Sequence, residues 1–70
     1  MFEKEHLIKL ANTPMPFGKY QGKMIIDLPE NYLLWFSRKG FPKGELGLLL
    51  QLALEVDMNG LRDMITVLKK

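Results

Sequence analysis

The segment from Glu45 to Val56 constrains this chain more than any other, because eight of its residues are apolar: Leu46, Leu48, Leu49, Leu50, Leu52, Ala53, Leu54 and Val56. Gly47, Gln51 and Glu55 fall four apart. On a helix turning about 100° per residue they form one narrow stripe and leave an apolar arc of roughly 240°. A surface helix needs far less. Either the other elements wrap this one, or part of the arc, through Leu46, Leu49, Leu50 and Leu54, is buried against a second copy of the chain in a two-fold homodimer. The question matters because the chain has only 70 residues and no cysteine. A chain this short buries only about 60% of its unfolded surface. Without cysteine it has neither a disulfide framework nor a thiolate zinc site to help. One domain over residues 1–70 is expected, with a core that suffices alone or is shared.

The rest of the chain punctuates itself clearly. Residues 2–11 place Leu7, Leu10 and Ala11 at i, i+3 and i+4 among charges, which predicts a short amphipathic helix. Pro14 and Pro16 end it and push Thr13 and Met15 toward extended backbone. Phe17, Tyr20, Ile25 and Ile26 favour strands, and Gly18 and Gly22 suit a tight reversal. A two-stranded hairpin is therefore expected, with strands over residues 16–20 and 23–26 and a turn through Gln21 and Gly22. Pro29 and Glu30 open a helix that runs to Lys39. Gly40 ends it in a left-handed cap, Phe41 packs back on Phe36, and Pro42 forbids continuation. After a break at Asn59 and Gly60, Leu61, Met64, Ile65 and Leu68 mark a last helix, with Lys69 and Lys70 at its end. The fold class expected is α+β: a β-hairpin packed on three to four short helices.

Chemistry is sparse. Gly18 to Met24 resembles a phosphate-binding loop only superficially, since three residues separate its glycines and Met24 stands where a hydroxyl should reach magnesium. Its glycines shape a turn, or its backbone forms an anion-binding nest helped by Lys19 and Lys23. His6 has no second imidazole or thiolate with which to hold a metal and reads as a solvated helix-face residue. Each carboxylate has a cap or a helix surface to explain it, and Ser37 has no histidine close in sequence. We expect no catalysis, no metal and no cofactor. No apolar run reaches the roughly 18 to 20 residues of a membrane span, and Glu3, Lys4, Glu5 and Lys9 interrupt the stretch a signal peptide needs, so a cytoplasmic protein is expected.

Ten bases against eight acids give a formal charge of +2, and the excess is local. Residues 14–43 hold Lys19, Lys23, Arg38, Lys39 and Lys43 against Asp27 and Glu30, a surplus of +3. Aromatic rings are interleaved with these bases, the pattern by which single strands of DNA or RNA are held. The candidate nucleic-acid-binding residues are Lys19, Tyr20, Lys23, Trp35, Arg38 and Lys39. Tyr32, Trp35 and Phe36, at i, i+3 and i+4, fit equally well an ordinary packing stripe toward the hairpin. Which rings are exposed decides between the two.

The run from Met15 to Lys23, followed by Asp27-Leu-Pro-Glu-Asn-Tyr-Leu-Leu-Trp-Phe36 and Lys39-Gly-Phe-Pro42, resembles a small bacterial family of unknown function labelled "putative quorum-sensing-regulated virulence factor". The resemblance covers nearly the whole chain. A similar Phe-Gly-Lys-x-x-Gly then Tyr-Leu-x-Trp pattern occurs in the C-terminal appendage of exodeoxyribonuclease X-like proteins. That second likeness implies a substrate-binding or partner-binding module; the acidic nuclease domain is absent, so nuclease activity does not carry over. Two functions remain open: a nucleic-acid-binding accessory module, and a protein-interaction or regulatory module acting through the leucine-rich helix over residues 45–57.

Overall fold

The computed structural model describes residues 4–69, and every regular element among them is helical. Helix α1 (Lys4–Asn12) is followed by a loop and a 3₁₀ turn over Ile25–Asp27, then α2 (Glu30–Lys39), α3 (Glu45–Met58) and α4 (Arg62–Thr66). The beginning of the expected first helix, at residues 2 and 3, lies outside the described residues, as does Lys70.

Helix α3 is the hub. It packs against α2, α1 and the 3₁₀ turn, and so buries Leu49, Leu50, Leu52, Ala53, Leu54 and Val56. The width of the arc reflects enclosure by the chain itself. Gly47 lets the segment after α2 cross very close to the start of α3: a Cβ there would lie 1.7 Å from the Pro42 carbonyl oxygen. Helix α1 contributes Leu10 and Ala11, and α2 contributes Leu33 and Phe36. Helix α2 ends where its sequence specifies, although Gly40 has an extended ψ of 131° in place of the left-handed cap conformation expected. Gly40 has φ +105°, its N–H donates to the Phe36 carbonyl at 2.7 Å, and the Phe41 ring stacks on Phe36 with centroids 6.5 Å apart. Gly60, at φ +69°, closes α3: its own N–H bonds to Asp57 and the Leu61 N–H reaches the Val56 carbonyl at 2.9 Å, the paired bonds of a Schellman cap.

The last helix is shorter than its apolar stripe implies. After Thr66 the chain tightens into i to i+3 bonds, with Leu68 N–H on Ile65 and Lys69 N–H on Thr66. Polar straps hold it down: Arg62 donates to the Leu28 carbonyl at 2.7 Å and pairs with Asp57, Lys69 pairs with Asp27, and the Asn12 amide donates to the Leu68 carbonyl at 3.0 Å.

The expected α+β class is corrected to all-helical, because no strand forms among the described residues. In place of a hairpin over residues 16–26, one isolated antiparallel bridge joins Pro14 to Met24. Its backbone bonds run from Met15 N–H to Lys23 and from Ile25 N–H to Thr13, 2.8 and 3.0 Å long. Two physical reasons stop it growing. Pro14 and Pro16 have no N–H to donate to a ladder. Ile25 and Ile26 are both buried, whereas successive residues of a strand point to opposite faces. A 3₁₀ turn buries both, with Asp27 N–H on Met24 and Leu28 N–H on Ile25. The reversal through Gln21 and Gly22 is present as expected, with Lys23 N–H bonded to the Tyr20 carbonyl at 3.0 Å and Gly22 at φ +91°.

Candidate functional site

Helix α2 buries one side only, so its other rings remain at the surface. Tyr32 sits edge-on to Phe36 at 5.2 Å between centroids, and Trp35 meets the same Phe36 edge-on at 5.1 Å. The 13–24 loop, closed at its neck by the Pro14 to Met24 bridge, brings Tyr20 against Tyr32 at 4.7 Å with the rings inclined at 65°. These edge-to-face contacts fix the rings relative to one another. Between the loop and the helix lies an open groove of about 550 Å³, lined by Phe17, Gly18, Lys19, Tyr20, Asn31, Tyr32, Trp35 and Phe36. Phe17 and Trp35 are 46% and 50% exposed. Gly18 backs onto the Tyr32 hydroxyl so closely that a Cβ would lie 3.2 Å from it, and its φ of +83° suits glycine.

Of the six residues predicted to bind nucleic acid, Lys19, Tyr20 and Trp35 are brought together in this groove. The Lys19 Nζ stands 5.5 Å from the centroid of the Tyr20 ring. Lys23, Arg38 and Lys39 are exposed but do not line it. No carboxylate of the described residues lines the groove, and Lys19, Lys23, Arg38 and Lys39 form no ion pair with a described residue. The ion pairs of the described chain instead employ Lys9, Arg62 and Lys69. The two readings of the Tyr32, Trp35 and Phe36 stripe divide between its members. Phe36 is core, Tyr32 is partly buried, and Trp35 is half open to solvent. Phe17, Asn31 and Tyr32 are groove residues that the predicted set omits; Asn31 stands at i−4 from Trp35, a helix-face spacing that marks it in the sequence.

The four leucines predicted for self-association are placed differently from that expectation. Leu49, Leu50 and Leu54 are buried by their own chain and Leu46 is partly covered. An exposed leucine face on α3, the premise for a dimer, is therefore not there. Large apolar side chains do emerge at Leu48 and, toward the other end, at Met58, Leu61, Met64 and Val67. His6 is half-buried on α1 rather than fully solvated. No described helix is long and apolar enough to cross a membrane.

A family model described as "Putative quorum-sensing-regulated virulence factor" matches residues 3–68. A protein of Escherichia coli strain K12, described as "Uncharacterized protein YpeB", is 56% identical over 69 residues, which is 97% of this chain and 96% of that protein. The protein of the same description from Escherichia coli O157:H7 matches to the same extent. No solved structure matches the chain significantly.

Proposed function

We propose, for a chain that belongs to the family described as "Putative quorum-sensing-regulated virulence factor", the role of a non-enzymatic cytoplasmic module that binds single-stranded nucleic acid in the groove between the 17–20 loop and α2. The observation that carries this reading is the half-exposed Trp35 in an aromatic groove whose sole charged lining residue among those described is Lys19. A tryptophan left uncovered in a small protein retains a large apolar face that a partner can bury. A nucleobase matches it, since every base offers a π-face whatever the sequence. Lys23, Arg38 and Lys39, exposed and without ion-pair partners among the described residues, supply the positive field that phosphates follow. The alternative, docking of a protein through the leucine-rich helix, is less favoured because Leu49, Leu50, Leu52 and Leu54 are buried by their own chain and Leu48 alone of its leucines stands about half exposed.

Anisotropy of labelled single- and double-stranded oligonucleotides, measured at two salt concentrations, tests the reading. Single strands should bind tighter than duplexes, with an affinity that falls as salt rises. Absence of binding to either at low salt would refute it.

A further inference from the structure

The loop wall of the groove holds polar groups that the fold leaves unused. Its backbone reverses through two overlapping turns, closed by Gln21 N–H on the Gly18 carbonyl at 3.2 Å and Lys23 N–H on the Tyr20 carbonyl at 3.0 Å. At the neck, Met15 N–H bonds to Lys23 and Gly22 N–H to Met15, 2.8 and 2.9 Å long. These bonds occupy the N–H groups of Met15, Gln21, Gly22 and Lys23. Those of Gly18, Lys19 and Tyr20, three in succession, donate to no acceptor among the described residues. All three residues line the groove. Successive N–H groups in a turn make a local positive partial charge that suits an oxyanion. The Lys19 ammonium, held by the Tyr20 ring, adds a full charge beside them.

We infer that the groove takes a phosphate together with its base: the N–H groups of Gly18, Lys19 and Tyr20 and the Lys19 ammonium seat one phosphate of a single strand, while the adjoining base stacks on Trp35. The inference rests on the proposed function and deepens it, because the unit recognised becomes a phosphate-bearing nucleotide instead of a bare ring. Gly18 is then needed twice, for its positive φ and for the space a Cβ would take from Tyr32. Part of the phosphate's hold comes from backbone, so it survives removal of the Lys19 side chain.

Trp35 is the one tryptophan of the chain, so its fluorescence reports occupation of the groove directly. The wild-type protein would be titrated with thymidine, thymidine 3′,5′-bisphosphate, inorganic phosphate and a short oligothymidylate. The bisphosphate should quench Trp35 with an affinity about tenfold or more above that of thymidine, a gap that narrows with added salt. Inorganic phosphate should compete with the bisphosphate while quenching little itself. Lys19→Ala should reduce the gap, and Lys19→Pro should reduce it further, because proline also deletes the N–H at the second position of the Gly18 to Gln21 turn, a place proline commonly takes in such turns. Circular dichroism would verify that each variant keeps its helices. If Lys19→Pro does not fold, the wild-type ligand series decides alone. Equal affinity for thymidine and bisphosphate, or an equal reduction in two folded variants, overturns the backbone phosphate seat while the proposed function stands. Failure of oligothymidylate to bind at low salt overturns the proposed function itself.

Discussion

Helix α3 and the face made by the 17–20 loop with α2 are both dense in large apolar side chains, yet Leu49 and Leu50 are almost fully hidden while Phe17 and Trp35 stand about half exposed. The difference lies in position within the fold. Elements surround α3, with α1, α2 and the 3₁₀ turn all against it, whereas α2 packs mainly on α3. A side chain in the first region answers to packing density; a ring in the second has its outer face uncovered by the described residues. Apolar content alone does not separate the two, and enclosure does.

Substitutions should therefore divide cleanly between stability and binding. The largest effect is expected from Leu50→Ala, which empties a fully buried site and should cost about 2–5 kcal/mol in urea unfolding. It should leave the affinity of the folded fraction for oligonucleotides unchanged; a drop in binding as large as the drop in stability would break the distinction. Trp35→Ala is the mirror case. The edge-on contact of Trp35 with Phe36 is worth about 0.5–1.5 kcal/mol of stability, below the cost of Leu50→Ala, while removing the ring from under a stacked base should cost about 1–3 kcal/mol of binding. Smaller per residue, Lys19→Ala combined with Lys23→Ala should weaken binding across all sequences and flatten the salt dependence by about 0.7 log-log unit for each phosphate that is no longer neutralised.

The smallest effect lies outside both regions. The Lys9 to Glu45 ion pair, 2.7 Å long and on the surface, joins α1 to the start of α3. The hydrogen bond and charge of Lys9 hold the Glu45 carboxyl below its ordinary range, and Glu45 raises Lys9 in return. For Glu45 the folded state binds its proton less readily than the unfolded chain does, so the pair's contribution is present above the ordinary carboxylate range and is lost as pH falls through the folded value. For Lys9 the contribution is present below its ordinary value and fades as pH rises through the raised one. Urea midpoints of wild type and Glu45→Gln should differ slightly at neutral pH and converge in acid. A difference that grows in acid would contradict the assignment.

How far the sequence disclosed all this depended on whether local signals agreed with one another. Both ends of α2 were legible within a residue because Pro29, Gly40 and Pro42 act through backbone geometry that tertiary contacts rarely override. The 3.6-residue pattern of α3 located that helix, but whether its arc faced the chain or a second copy is a question of topology, and only the fold answers it. Residues 14–26 misled for a definable reason. Aromatic and β-branched residues there favour strands, while prolines at 14 and 16 and the adjacent buried pair Ile25 and Ile26 oppose a ladder. The second set of signals prevails. The groove was half legible: Phe17, Lys19, Tyr20 and Trp35 stand out as rings beside bases and Asn31 shares a helix face with Trp35, but only the folding of the loop onto α2 brings the two sets together.

Amide chemical-shift mapping of the labelled protein during titration with a short single-stranded oligonucleotide tests the central claim most directly, because both regions are seen in one spectrum. The account predicts that shifts concentrate at residues 17–20 and 31–36, with the Trp35 indole N–H among the largest, while amides of residues 49–56 stay in place. Shifts confined to α3 or to the segment over residues 58–67, or no shifts at all at low salt, would contradict it.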